Sequence, residues 1–188
     1  MAPIEMRSGD TDCAIEIIRE VAQWCIDVGA PMWRLEELTR KALLRYPPSE
    51  ADFRTVWIDG KLAAAMILQW HDPRFWPEVK PDESGFIHKL CVRRSFAGRR
   101  VAGQIVELAQ LECIRRGIGW LRLDTDFNSP KLCTLYEAMG FVKVGRKMVD
   151  DRDYALYEKR PTSESREQNA SLSLRTRMIV RGPDEQIL

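Results

Sequence analysis

The stretch FIHKLCVRRSFAGRRVAGQIVELAQLEC, Phe86 to Cys113, decides how this chain is read. Phe86–Val92 is an apolar strand, with Ile87 and Leu90 to Val92 as its apolar positions. Arg93–Arg100 is a loop of arginines and small residues. The helix that follows carries one apolar stripe at Ala102, Val106, Ala109 and Cys113, and a second beside it at Val101, Ile105 and Leu108. A strand that enters a helix through such a loop leaves backbone N–H groups unbonded at the helix start. Together with the helix dipole these form a receptor for phosphate. Arg93, Arg94, Arg99 and Arg100 add positive charge beside it. Two readings stand: a phosphate-binding turn, or a plain strand–loop–helix with solvated arginines.

Upstream, Ile4–Arg7 is a short strand, and the Ser8–Asp12 cluster caps a helix over 12–28. Its apolar positions Ala14, Ile17, Ile18, Val21, Cys25 and Val28 keep helical spacing, and Gly29 sits where a C-terminal glycine belongs. A second helix is predicted over Arg34–Arg45, stopped by Tyr46-Pro47-Pro48. Trp33, between the two, is either a core plug or a pocket wall. Arg54–Ile58 and Leu62–Trp70 form a hairpin about Asp59-Gly60, a pair that tolerates the positive φ of a tight turn. Residues 71–85, HDPRFWPEVKPDESG, are too polar for core and read as a long surface loop, functional or merely connecting.

Downstream, Gly117–Asp126 is a strand, with Leu121, Leu123 and Thr125 on one face and Arg122 and Asp124 on the other. Asn128-Ser129-Pro130 opens a helix that ends at Gly140. Phe141–Val149 and Tyr154–Tyr157 are closing strands. Beyond Arg160 the composition turns polar, so 1–160 is read as one domain and 161–188 as a tail. Within the tail, Ser171–Val180 alternates weakly. It is either a disordered segment or a strand added to a sheet edge, and the second option would join two copies in a homodimer.

The 188 residues carry a formal net charge of +1, which gives no global attraction to nucleic acid or an acidic membrane. The N-terminal stretch lacks the apolar run of a signal peptide, and no segment approaches the length of a membrane span. Five scattered cysteines without a CxxC pair point to buried thiols in a reducing, cytoplasmic setting and to no metal.

The order of elements, the Val92–Ala102 loop and the segment Asn128 … Tyr136-Glu137-Ala138-Met139-Gly140-Phe141 together resemble the GCN5-related N-acetyltransferase (GNAT) superfamily, over roughly residues 4–159. The resemblance implies an α/β (α+β) acyl-CoA N-acyltransferase fold, a mixed central sheet of about seven strands flanked by helices. It implies acetyl-CoA as acyl donor. Leu90, Cys91 and Val92 would face the acetyl and pantetheine arm. The backbone of Gly98, Arg99, Arg100, Val101, Ala102 and Gly103 would hold the pyrophosphate, and Asn128 would touch the pantetheine. Tyr136 would protonate the departing thiolate; the alternative is a buried helix aromatic. The loop departs from the family pattern at positions that matter for binding. Ala97 stands for an Arg or Gln, and Arg100 for a Gly that lets the backbone approach the phosphates.

Where many relatives carry a Glu on this strand, the chain has Phe86, so the resemblance supplies no base. Strand periodicity puts His88 on the face of Leu90, where it is either a proton acceptor or a structural, hydrogen-bonded residue. Trp33, Trp70, Phe75 and Trp76 are candidate walls for an acceptor, and Asp72, Glu78 and Asp124 would draw a cationic amine. The function expected is direct acetyl transfer to the primary amine of a small molecule. The alternatives are a catalytically weak acyl-CoA-binding module and a protein or peptide N-acetyltransferase.

Overall fold

The computed structural model describes residues 4–45 and 48–161; the tail with Ser171–Val180, and the helix stop at Tyr46-Pro47, lie outside the described residues. These residues group into two units, one containing residues up to 67 and 89–105, the other 68–88 and 106–161.

In the first unit, β1 (Ile4–Ser8), β2 (Phe53–Ile58) and β3 (Lys61–Gln69) run antiparallel. The Asp59-Gly60 turn has φ of +51° and +70°, the paired left-handed backbone that a two-residue hairpin requires. Helix α1 (Thr11–Asp27) buries Ala14, Ile17, Ile18, Val21, Ala22 and Cys25 against Phe53, Leu62, Ala65, Ile67 and Cys91. Ile17 and Ile18 are fully buried, so truncating either to Ala would cost about 2–5 kcal/mol. Gly29, with φ of +73°, ends the helix, and the Ala30 N–H reaches back to the Cys25 carbonyl at 2.8 Å.

The single helix expected over Arg34–Arg45 is instead a 3₁₀ turn, Leu35–Glu37, followed by the four-residue α2 (Arg40–Leu43). Thr39 causes the break. It is extended, and its hydroxyl accepts from the Ala42 N–H at 3.2 Å, restarting the helix rather than continuing it.

The second unit takes in the start of β4 (Gly85–Val92), whose Gly85–Ile87 pair in parallel with Leu121–Leu123 of β5 (Leu121–Asp126). Strand β5 pairs antiparallel with β7 (Arg152–Lys159), which pairs with β6 (Val142–Val149). All seven strands form one mixed sheet in the order β1-β2-β3-β4-β5-β7-β6. Helices α3 (Val101–Arg115) and α4 (Pro130–Ala138) follow β4 and β5, and Pro130 opens α4 where its missing N–H costs nothing. A 3₁₀ turn at Arg94–Phe96 precedes α3 and another at Glu50–Asp52 precedes β2. Gly85 is required by contact. A Cβ there would stand 2.7 Å from Cys113 Sγ and 3.1 Å from the Trp70 ring.

The segment between β3 and β4 is not the purely surface loop its composition suggests. Asp72, Trp76, Val79 and Ser84 are buried. Trp76 packs on Phe86, and the Arg122 guanidinium lies 4.8 Å from its ring centre. Arg122 also donates to Ser84 Oγ at 3.0 Å and pairs with Glu158. Lys147 donates to the carbonyls of Arg74 and Phe75, at 3.1 and 2.9 Å, and Arg74 pairs with Asp150. The segment is a strap fixed along its length.

Candidate active site

Two features within β4 set the site. The parallel register of β4 with β5 covers Gly85↔Leu121, Phe86↔Arg122 and Ile87↔Leu123. Two residues past Ile87, Lys89 adopts φ of +52°, a left-handed backbone that a non-glycine residue takes at a cost of about 1–2 kcal/mol. That kink breaks the side-chain alternation, so His88 and Leu90 are not related by simple strand periodicity. His88 sits between the end of the register and the kink.

His88 meets two carboxylates brought from other segments. Its Nε2 lies 3.3 Å from Asp72 Oδ2, and its Nδ1 lies 3.2 Å from Asp124 Oδ1. Neither of those carboxylate oxygens has a partner in hydrogen-bond geometry, so the pairing is one of charge rather than of aligned N–H donation. Asp72 is the buried flank: its side chain is 4% exposed, against 12% for Asp124. Its Oδ1 accepts from the backbone N–H groups of Arg74 (3.2 Å) and Phe75 (3.1 Å), and its carbonyl accepts from the Trp76 N–H at 2.9 Å. The Phe75 ring lies edge-on to Tyr154 at 4.9 Å and 6.2 Å from the imidazole.

The charge states follow from these contacts. Burial works against a charged imidazole, but Asp124 and then Asp72 outweigh it and hold the His88 pKa up at about 9. Burial likewise raises the Asp72 pKa, while His88 and the two backbone N–H groups hold it below the ordinary carboxylate value. The trio therefore carries an imidazolium between two carboxylates at neutral pH. The three side chains approach within 4.8 Å of one another, but the imidazole turns a different nitrogen to each carboxylate. A single cation would meet only one of its flanks.

The other expected residues fall out as follows. Gly98 has φ of +77°, with nothing within 4 Å of a would-be Cβ there or at Gly103. Arg100 takes φ of +58°, the backbone that the missing glycine would have supplied. The Gln104 N–H bonds the Arg100 carbonyl at 3.2 Å, which leaves the first-turn N–H groups of 101–103 for an external acceptor. No acidic residue lies in that turn. Val101 is buried and pins the helix start, while Ala102 and Gly103 are half-buried and Arg99 is exposed. This open, cationic turn fits a pyrophosphate. Not all four arginines serve it. Arg93 is taken up by Glu16 and Glu20 of α1, and the Arg94 guanidinium lies 4.0 Å from the Trp24 ring centre.

Leu90 and Val92 are half-buried in β4; Cys91 is buried, and burial pushes its thiol pKa up, which keeps it neutral and unsuited to carry an acyl group. Tyr136 is half-buried on α4, its ring 6.1 Å from Phe141 and 6.4 Å from Tyr157. Asn128 is exposed, and its backbone N–H donates to Asp126 Oδ1 at 2.8 Å. Trp33 is half-buried in the first unit with Lys89 Nζ 4.7 Å from its ring centre. Trp76 is a core residue rather than an open pocket wall. Sequence reasoning named His88, Asp72 and Asp124 separately and missed that they form one cluster. The left-handed Lys89 carried no signal at all.

Comparison with known proteins follows the same lines. A family model described as the acetyltransferase (GNAT) family matches residues 16–141. The uncharacterized N-acetyltransferase YesJ of Bacillus subtilis (strain 168) is 26% identical over 163 residues, covering 82% of this chain and 87% of the relative. A GNAT-family acetyltransferase from Listeria monocytogenes 4b F2365 superposes with a TM-score of 0.63 at 20% identity, over 80% of this chain and 89% of that one. An aminoglycoside acetyltransferase, AAC(6')-Ib, with coenzyme A and kanamycin, superposes with a TM-score of 0.66 at 14% identity, over 89% and 99%. At these identities the superpositions bear on the fold. Among the described residues, no helix is long and apolar enough to cross a membrane.

Proposed function

Since the chain belongs to the GNAT family of acetyltransferases, with acetyl-CoA as acyl donor, we propose that it acetylates the primary amine of a small cationic molecule by direct transfer. The observation that carries this reading is the His88 imidazole between Asp72 and Asp124, just past the β4–β5 register.

Acetyl-CoA, when bound, supplies the activated acetyl thioester. The backbone N–H groups of Gly98–Gly103, with Arg99 and Arg100, hold its pyrophosphate. Asp124, the more open carboxylate of the trio, attracts an alkylammonium acceptor. An ammonium cannot attack a carbonyl; it must first lose a proton. His88 accepts that proton at a ring nitrogen only in its neutral form, a minor fraction at neutral pH that grows as pH rises toward about 9. A conjugate acid near 9 is close to that of an alkylammonium at about 10.4, so the transfer is nearly balanced. Tyr136 would give its phenolic proton to the thiolate as the C–N bond forms and the C–S bond breaks, and the second proton shed by the new amide nitrogen would restore the phenol. The buried, neutral Cys91 supports direct transfer over an acyl-enzyme route.

Turnover of acetyl-CoA over a panel of amines tests this. CoA release with at least one small cationic amine is expected. No release with any amine, together with an unchanged melting temperature on adding acetyl-CoA, would sink it. One feature favours a second reading, an acyl-CoA-binding module without turnover: Arg100, with φ of +58°, places a side chain where the family pattern that the sequence resembles has a glycine. That reading requires a thermal shift with CoA and no product.

A further inference from the structure

We infer that Asp72 is a positioning residue, clamped by the β3–β4 strap so that its Oδ2 faces His88 Nε2 and turns Nδ1 toward Asp124 and the acceptor. The inference rests on the proposed acetyl transfer, and it assigns to a buried carboxylate a role distinct from amine attraction.

The geometry separates the two carboxylates. Asp124 projects from β5, half-buried and on the Nδ1 side. Asp72 is buried, on the Nε2 side, and out of an acceptor's reach. Its two oxygens play different parts. Oδ1 receives the Arg74 and Phe75 N–H groups, which fixes the carboxylate plane and leaves Oδ2 pointing at the ring. The strap that bears it is held in turn: Lys147 of β6 donates to both carbonyls that follow the clamp, and Arg74 pairs with Asp150. The groups facing His88 are thus Asp72 and Phe75 from the strap and Asp124 from β5. Tyr154 of β7 stands behind Phe75, its phenol kept protonated by burial and by the charge of Asp124. A residue so immobilised orders its partner at little cost on binding, which a free surface carboxylate would not.

Asp72→Asn tests this, because Asn keeps an Oδ1 acceptor for the two backbone N–H groups and replaces the anionic oxygen on the Nε2 side with a neutral N–H donor. Nitrogen NMR of the substrate-free protein reads His88 directly; His71→Gln assigns the other histidine. In wild type the His88 midpoint is expected near 9, and in Asp72→Asn lower by about 1–3 pH units. In turnover, the acid limb of kcat/KM, where protonation of His88 removes the base, moves down with that midpoint, kcat at the plateau falls by up to about 10²-fold, and the acceptor KM holds. Asp72→Glu restores the charge but not the clamp, so the midpoint recovers while kcat does not. A His88 midpoint indifferent to position 72 overturns the inference. If neither variant folds, a wild-type midpoint at the ordinary 6.5 overturns it and one near 9 with a protonated Nε2 supports it. The titration needs no substrate. An inactive protein with the shifted midpoint therefore defeats the proposed activity alone, and an active one without it defeats this inference alone.

Discussion

Nδ1 of His88 lies 3.2 Å from Oδ1 of Asp124, and each residue stands one position beyond the last register pair of its strand, Ile87 with Leu123. The contact thus sits where two parallel strands stop pairing, and parallel pairing is what brings residues so far apart in sequence together. Asp124→Asn should raise the KM for cationic amines by about 10- to 100-fold, the worth of one charged hydrogen bond. The penalty should shrink as salt is added. Steady-state kinetics at two ionic strengths checks this; an unchanged KM would remove Asp124 from the acceptor site.

Stability should fall on both sides of a neutral plateau. The folded His88 pKa is raised from 6.5 to about 9, so its contribution is complete below pH 6.5 and is lost as pH climbs through about 9. Asp72, held below 3.8, contributes above that pH and loses its share as pH falls beneath it. Urea midpoints measured across pH should therefore decline between 6.5 and 9 in wild type and stay flat there in His88→Gln. Parallel curves for the two proteins would refute the linkage.

The sequence made most of the frame legible because its signals were local. Asp59-Gly60 marked the hairpin, Gly29 ended α1, and the arginine-rich loop announced the start of α3. What stayed hidden depended on tertiary contacts. Thr39 as a helix restart looks like any mid-helix polar residue. A left-handed Lys89 has no glycine to betray it. The Pro-rich, acidic composition of the strap spoke for exposure, yet Asp72 and Trp76 are buried by partners on β4 and β5. Arg93 counted toward the phosphate turn until Glu16 and Glu20 of α1 claimed it.

Arg100, like Ala97, departs from the family pattern that the loop resembles. Its φ of +58° costs a non-glycine residue about 1–2 kcal/mol, so Arg100→Gly should relieve strain, offset in part by the chain entropy of glycine. A melting temperature equal to or above wild type is expected. Calorimetric titration with CoA should show Arg99→Ala weaker and Arg93→Ala unchanged, since Arg93 already serves α1. Weaker binding in Arg93→Ala than in Arg99→Ala would contradict the assignment of charges.

Gly85→Ala should destabilise the fold by about 1–3 kcal/mol, because its Cβ would stand 2.7 Å from Cys113 Sγ. The double variant with Cys113→Ala makes room and should recover part of the loss. Denaturant midpoints decide this, and no recovery would mean that the crowding lies elsewhere.

The central claim is that His88 takes the acceptor's proton, and the pH dependence of kcat/KM tests it most directly. Two amines of different pKa should be followed in wild type and in His88→Gln. The account predicts a limb near 9 in wild type that stays in place for both amines, and in His88→Gln its disappearance with a fall of about 10²–10⁴-fold. A variant that keeps both the limb and the rate would contradict it.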